Sequence, residues 1–307
     1  MNFTGVMPAM TTAFNSDLTI DHNFVARHAQ WLIENGCTGI ICLGSLGESS
    51  TLRFDEKIDI LKTVIAAFDG KAPVVAAISA LSTAESVELA KAAHAVGCAG
   101  LMILPPYVYK GDWRENKAHV AAILNATPLP GMLYNNPVAY GVDYLPGQIA
   151  ELADEFPSLA AVKESSTDVR RVTAIRAFTG DRLALCVGVD DAIVEGISAG
   201  AVGWVAGLVN AFPRESVDLF NFARAGKAQE TFELYRWFLP LLRMDTVPNF
   251  VQLIKLVQAE VGMGNSRVRP PRLQLVGEEL EQTSRIIRDA LGSRPQPAGS
   301  YALTSRK

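Results

Sequence analysis

The chain has 307 residues, 49% of them hydrophobic, with 28 Lys+Arg against 32 Asp+Glu and a formal net charge of -4. That apolar fraction fills a sizeable core, and the mild acidity leaves no electrostatic footprint for nucleic acid or an anionic membrane. The default partner of such a globular chain is a small molecule.

The cysteines, Cys37, Cys42, Cys98 and Cys186, are widely spaced in apolar surroundings and read as reduced core residues. No apolar run reaches the roughly 18 residues needed to span a bilayer, and the N-terminus lacks the basic-then-apolar order of a signal peptide. The expected compartment is the cytoplasm.

In chain order, short apolar runs alternate with amphipathic stretches. The strand candidates are GVMPAMT (5–11), TGIICLG (38–44), PVVAAIS (73–79), AGLMILP (99–105), PGMLYNN (130–136), LAAVKES (159–165), LALCVGV (183–189) and VGWVAG (202–207). Between them lie helical segments such as FDEKIDILKTVIAAF (54–68) and TAESVELAKAAHAVG (83–97). The second of these is expected to open on Thr83 as N-cap, with Glu85 and Ser86 in its first turn, and to close at Gly97. Continuous apolar strands alternating with helices imply parallel pairing with both faces covered. Eight such units predict a (β/α)8 TIM barrel, with a doubly wound open sheet as the alternative.

From about Ala211 to Leu291 the pattern is helical, with Pro240, Pro248 and the RPP at 269–271 expected as breaks. The expected organisation is a barrel over 1–225, a C-terminal helical extension over 226–292 and a mobile tail over 293–307.

In such a barrel, chemistry sits at the C-terminal strand ends, so polar exceptions to the apolar runs are the residues to weigh. Lys163 closes the sixth strand. It reads either as a partly desolvated amine able to form a Schiff base with a 2-oxo acid, or as a strand-end cation paired with Glu164 or an aspartate. Gly44 and Gly47 in GSLGESS read either as letting backbone N–H groups and the Ser45 hydroxyl hold a carboxylate, or as a plain turn. Tyr134 in LYNNP is a phenol able to carry a proton, or a packed rim residue.

The segments GSLGESSTL, LPPYVY, YNNP, VKESS and IKLVQAEVG…RVRPP occur in this order along nearly the whole chain. Together they resemble the dihydrodipicolinate synthase / N-acetylneuraminate lyase family of class I Schiff-base aldolases and hydro-lyases, whose usual patterns are G-T-T-G-E, Y-N-x-P and V-K-[DE]-[ST]. The resemblance implies that Lys163 is the Schiff-base lysine, Tyr134 the phenol beside the imine, and Gly44 with Ser45 and Leu46 the carboxylate-binding turn. It further implies that backbone near Gly188 and Val205 approaches the distal part of the substrate. No metal or cofactor is expected, and homo-oligomers, dimers or tetramers, are.

Three positions depart from the family pattern. Leu46 stands where dihydrodipicolinate-forming members have a second hydroxyl, Val108 where they have a relay tyrosine, and Ala139 where they have a rim arginine. Leucine and valine carry no proton, and an uncharged rim does not pair a second carboxylate as arginine would. The expectation is therefore a broken hydroxyl relay and no lysine-pathway synthase reaction. Asn135, Asn136 and Tyr140 are expected to supply neutral polar groups for a hydroxylated substrate. The motifs look most like members called 1-pyrroline-4-hydroxy-2-carboxylate deaminase. A 2-keto-3-deoxy sugar acid dehydratase or aldolase is the alternative, and a non-catalytic ligand-binding member a second one.

Other polar residues receive plainer readings. Glu48 is expected to sit at a helix start near the positive end of its dipole, and Asp190–Asp191 to cap the next helix rather than bind metal. His22, His28, His94 and His119 fall in helices and read as surface or packing residues. Trp237 and Phe238, with Leu239, Leu241 and Leu242, form an apolar patch expected to be internal core, with a subunit interface as second choice.

Overall fold

A computed structural model describes residues 1–295. Eight parallel strands run β1 (Gly5–Pro8), β2 (Ile40–Cys42), β3 (Val74–Ile78), β4 (Gly100–Ile103), β5 (Gly131–Asn135), β6 (Leu159–Glu164), β7 (Ala184–Val187) and β8 (Gly203–Ala206). Each lies inside one of the eight apolar runs. They pair in the order β1-β8-β7-β6-β5-β4-β3-β2. An isolated parallel bridge between Ala9 and Ile41 joins the two ends of this order. The sheet is thereby a TIM barrel, and the open-sheet alternative is set aside.

The outer layer consists of α1 (His22–Glu34), α2 (Phe54–Phe68), α3 (Thr83–Ala95), α4 (Trp113–Leu124), the short α5 (Pro137–Tyr140), α6 (Pro146–Glu155), α7 (Arg170–Thr179), α8 (Ile193–Ser198) and α9 (Pro213–Arg224). Helix α2 has the limits its periodicity predicts. Helix α3 is capped one residue earlier than expected: Ser82, in extended backbone, accepts the Glu85 N–H at 3.2 Å. Thr83 instead bonds His119 Nδ1 on α4 at 2.9 Å. Two adjacent hydroxyl residues look alike in sequence, and backbone conformation decides which one caps.

The extension holds α10 (Ala228–Leu242), α11 (Phe250–Glu260) and α12 (Gly277–Gly292). Pro240 does not break α10 but lies within its last turn, on an exposed side. Pro248 does fall between helices, and so does the 269–271 stretch. Trp237 stacks on Phe238 and meets Phe212 edge-on, and its Nε1 donates to Ala290 O at 2.9 Å, so the aromatic patch is internal packing among α9, α10 and α12. Of the residues expected to form a tail, Arg294 is anchored, its Nε 2.6 Å from Glu215 Oε1 and its guanidinium over Phe212. The rest of that stretch, from residue 296, lies outside the described residues.

All four cysteines are buried and unpaired. Burial pushes Cys37, Cys98 and Cys186 up to about 12 and Cys42 higher still, so the thiols are inert. Among the described residues no helix is long and apolar enough to cross a membrane.

Candidate active site

Strands β5 and β6 pair with Tyr134 opposite Lys163. Residues paired across neighbouring strands point to the same face, so one register places phenol and amine together inside the barrel mouth. Both are buried, and Lys163 Nζ lies 4.2 Å from the centre of the Tyr134 ring. The next residue, Glu164, points to the other face. Its carboxylate accepts from Asn135 Nδ2 at 3.0 Å and Ser166 N at 2.6 Å, and burial raises its pKa. The strand-end ion pair between Lys163 and Glu164 is thus not what holds the lysine.

Gly188 explains how a long cation fits there. A Cβ at this position would stand 2.6 Å from Lys163 Cε and 2.0 Å from Ser165 Oγ. No side chain can occupy that space without displacing the lysine.

The turn after β2 differs from its expected construction. Its left-handed residues are Leu43 (φ 66) and Glu48 (φ 56), while Gly44 has ordinary backbone and room for a Cβ. Gly47 is needed for close approach, since a Cβ would lie 2.9 Å from Met10 O. Among the described residues, the N–H groups of Ser45 and Leu46 find no internal acceptor. They remain available to an anion, as a carboxylate-binding turn requires.

Glu48 does stand at a helix start, as N-cap of the 3-10 turn Ser49–Thr51, but its side chain does more than that position implies. It is fully buried, accepts from Lys255 Nζ at 2.7 Å and Arg269 N at 2.9 Å, and so ties this turn to α11 and the segment beyond it.

A cavity of 430 Å³ opens at this end of the barrel, and Lys163, Tyr134, Gly44, Ser45, Leu46, Gly188 and Val205 all line it. Asn136 and Tyr140 line it as well, and Asn136 Nδ2 donates to Tyr134 OH at 3.1 Å. Asn135 does not. It is fully buried, donating to Glu164 and Asp143 and accepting from Tyr144 N. Ala139 is at the wall, and among the described lining residues Lys163 is the one cation and Asp245 the one carboxyl group.

Neither of the two positions expected to break the hydroxyl relay carries a proton-bearing group at the site. Leu46 is buried and Val108, at φ 72, is 91% exposed, so neither contributes. Ser45 Oγ bonds Tyr140 OH, the Tyr107 ring lies 5.7 Å from that of Tyr140, and Ser79 Oγ donates to Ser49 Oγ at 3.1 Å. Tyr140, carried over the site by α5 one residue after the position where the family pattern has a rim arginine, thus supplies a hydroxyl beside the turn.

Three further lining groups were not singled out from sequence. Ser165 follows Lys163 by two residues, hence shares its face, and its Oγ is buried without a partner. That i, i+2 spacing was the available signal. Asp245 comes from the extension, in a 3-10 turn over Arg243–Thr246. Nothing in a helical stretch announces its arrival at the barrel mouth. Phe250, from the start of α11, also lines the cavity.

Asp190 does not cap the following helix. Its Oδ1 accepts from Trp204 Nε1 at 3.0 Å and Gly207 N at 3.1 Å, and its Oδ2 accepts from Leu208 N at 2.7 Å, locking the end of β8. Of the histidines, His28 and His119 are buried in packing and His94 is exposed.

A sequence profile of the Dihydrodipicolinate synthetase family matches residues 2–290. The chain belongs to that family. Among its relatives, the 4-hydroxy-tetrahydrodipicolinate synthase of Desulforamulus reducens is 28% identical over 287 residues, covering 94% of this chain and 97% of the relative. That of Cellvibrio japonicus is 31% identical, covering 91% and 96%. The crystal structure of dihydrodipicolinate synthase DapA-2 from Bacillus anthracis superposes with a TM-score of 0.90 at 28% identity, over 96% of this chain and all of that one. YagE, an E. coli prophage protein of the dihydrodipicolinic acid synthase family solved with pyruvate, gives 0.89 at 25% identity, covering 94% and 99%. Family membership makes the chain a class I aldolase-type lyase by fold and kinship.

Proposed function

We propose that this protein is a Schiff-base lyase for a small 2-oxo or cyclic imino acid bearing a hydroxyl at C4, best matched by 1-pyrroline-4-hydroxy-2-carboxylate. The observation that carries the reading is a buried amine against a phenol in a cavity whose lining holds no second cation to pair a distal carboxylate. For that reason the condensation named for the relatives is not assigned to this chain. Assembly into dimers or tetramers and a cytoplasmic location belong to the same proposal.

The chemistry follows from the placement of groups. The N–H groups of Ser45 and Leu46 hold the substrate carboxylate, which sets C2 within reach of Lys163. The amine adds to C2, Tyr134 carries protons to and from the departing ring nitrogen, and the ring opens to leave a lysine imine. The imine acidifies C3. Loss of a C3 proton gives an enamine, whose electrons expel the C4 oxygen as water once it takes up one proton. Tautomerisation moves the remaining double bond to the carbon bearing the nitrogen. Hydrolysis there and at the lysine releases ammonia and 2-oxoglutarate semialdehyde, with net consumption of one water. Ser165, buried and without a partner, is placed to accept or donate a hydrogen bond at the substrate hydroxyl.

The test is a side-by-side assay of purified protein with 1-pyrroline-4-hydroxy-2-carboxylate, 2-keto-3-deoxy sugar acids, and pyruvate with aspartate semialdehyde. Ammonia release from the first is expected. Turnover of a sugar acid without ammonia release from the pyrroline would overturn the substrate, and condensation of pyruvate with the aldehyde would overturn the reaction class.

A further inference from the structure

The elimination just described, on which this inference rests, leaves one proton unassigned. Hydroxide is a poor leaving group, so the C4 oxygen needs an acid beside it. We propose that Asp245 is that acid, donating its proton to the departing C4 hydroxyl and thereby directing the site toward loss of water rather than cleavage of the C3–C4 bond.

Four features of the structure converge on Asp245. It lines the same cavity as Lys163, where it is the one carboxyl group among the described lining residues. It sits against Gly207, just past the end of β8, on the 3-10 turn Arg243–Thr246. Its position is fixed: Oδ1 lies 2.3 Å from where a Cβ on Gly207 would be, so glycine at 207 is what admits this carboxyl. Behind it lies Asp190, fully buried and accepting N–H bonds from Trp204, Gly207 and Leu208. Burial raises Asp190 to about 6, and those donors work against the rise, so its charge is better supported than that of Asp245.

Two neighbouring carboxyl groups in a site of low polarity do not both ionise readily. Burial and the adjacent Asp190 raise Asp245 well above the ordinary carboxylate range, and Lys163 opposes that rise only in part. Asp191, the remaining acid facing it, also raises Asp245 and is itself near Arg243, whose Nε lies 3.8 Å from Asp191 Oδ2. The proton is therefore held on Asp245, and Asp190 carries the charge.

The protonation state selects the reaction. A carboxylate at the C4 oxygen would remove its hydrogen and favour cleavage of C3–C4 to an aldehyde. A carboxylic acid does the reverse. As the enamine forms the C3=C4 bond, the C4–O bonding pair moves to oxygen, which takes the Asp245 proton and leaves as water. Asp245 remains as carboxylate and recovers a proton from solvent after product leaves.

The experiment uses the full chain and Asp245→Asn. Three readouts are compared with wild type: borohydride trapping of pyruvate on Lys163, deuterium exchange at C3 of pyruvate, and elimination from the 4-hydroxy substrate against its 4-chloro analogue, whose chloride leaves without a proton. Trapping and exchange are expected to persist and chloride release to stay within a few-fold, while kcat for the 4-hydroxy substrate falls by about 100-fold or more, the usual range for a lost general acid. Undiminished kcat on the 4-hydroxy substrate overturns the proposal, as does a parallel loss on both substrates, which marks a purely structural role. Failure of the wild-type protein to trap pyruvate at all is a different result, since it removes the imine on which the proposal rests.

Discussion

Glu48 and Lys255 form an ion pair that is 0% and 2% exposed at the side chains, in the turn proposed to receive the substrate carboxylate. Burial lowers the pKa of Lys255 and the partner carboxylate works against that shift. Removing one member strands the other, at a cost of about 3–5 kcal/mol, while replacing both with apolar residues of similar size is close to neutral. Glu48→Gln should therefore lower the urea midpoint sharply, and Glu48→Leu combined with Lys255→Met should recover most of the loss. Equal destabilisation by the single and double variants would show that the pair is not the unit of stability here.

The same residue marks a limit of sequence reading at this scale. Lys163 and Tyr134 were legible because a polar residue at the end of an apolar strand has no packing reason to be there, and Ser45 because a polar turn follows a strand. Asp190 and Asn135 were misjudged, and the partner of Glu48 missed, because the groups that bind them come from other parts of the fold, from 8 residues away for Asn135 to 207 for Glu48. The Asp190 contacts with Trp204 and Leu208, like that of Glu48 with Lys255, exist only once the barrel has closed.

At the level of elements, α1 is tied to the last strand's following turn through His28. The ring is buried, with Nε2 2.9 Å from Asn210 O, which fixes Nε2 as the protonated nitrogen and leaves Nδ1 bare and without a partner. Burial lowers its pKa to about 4 from an ordinary 6.5, opposed by the Asn210 bond. The sign follows directly. The unfolded chain binds this proton below about 6.5 and the folded chain does not until about 4, so stability is whole above 6.5 and is lost as pH falls through that window. The loss approaches about 3 kcal/mol at the acid end. Wild-type Tm should drop between pH 7 and 5 more steeply than that of His28→Gln, as followed by circular dichroism. Parallel profiles would assign the acid sensitivity elsewhere.

Element identity was legible because the apolar runs are short, continuous and regularly interrupted by amphipathic stretches of helical period. Element limits were less so. Pro240 forgoes one i→i−4 bond inside α10, that to Arg236 O, on an exposed side open to water, and the cap of α3 depends on the extended backbone at Ser82 rather than on side-chain type.

Across the whole molecule, the barrel brings the ends of β2, β5, β6, β7 and β8 to one mouth, and the extension completes the wall with Asp245 and Phe250. The barrel part of this site could be read from strand ends, because strand direction alone places them together. The part supplied by the extension could not, since helical periodicity gives a buried face but no address for it. The segment Asp245–Phe250 of the extension thus lines the cavity while the helices around it pack the core.

The proposed reaction begins with the Lys163 amine condensing with a carbonyl or imine carbon inside this cavity. Incubation with pyruvate, reduction with borohydride and peptide mass mapping tests it most directly. One stable adduct is expected, on Lys163 and absent from Lys163→Arg. A folded protein that forms no adduct with pyruvate or other 2-oxo acids, or that carries it on a different lysine, would contradict it.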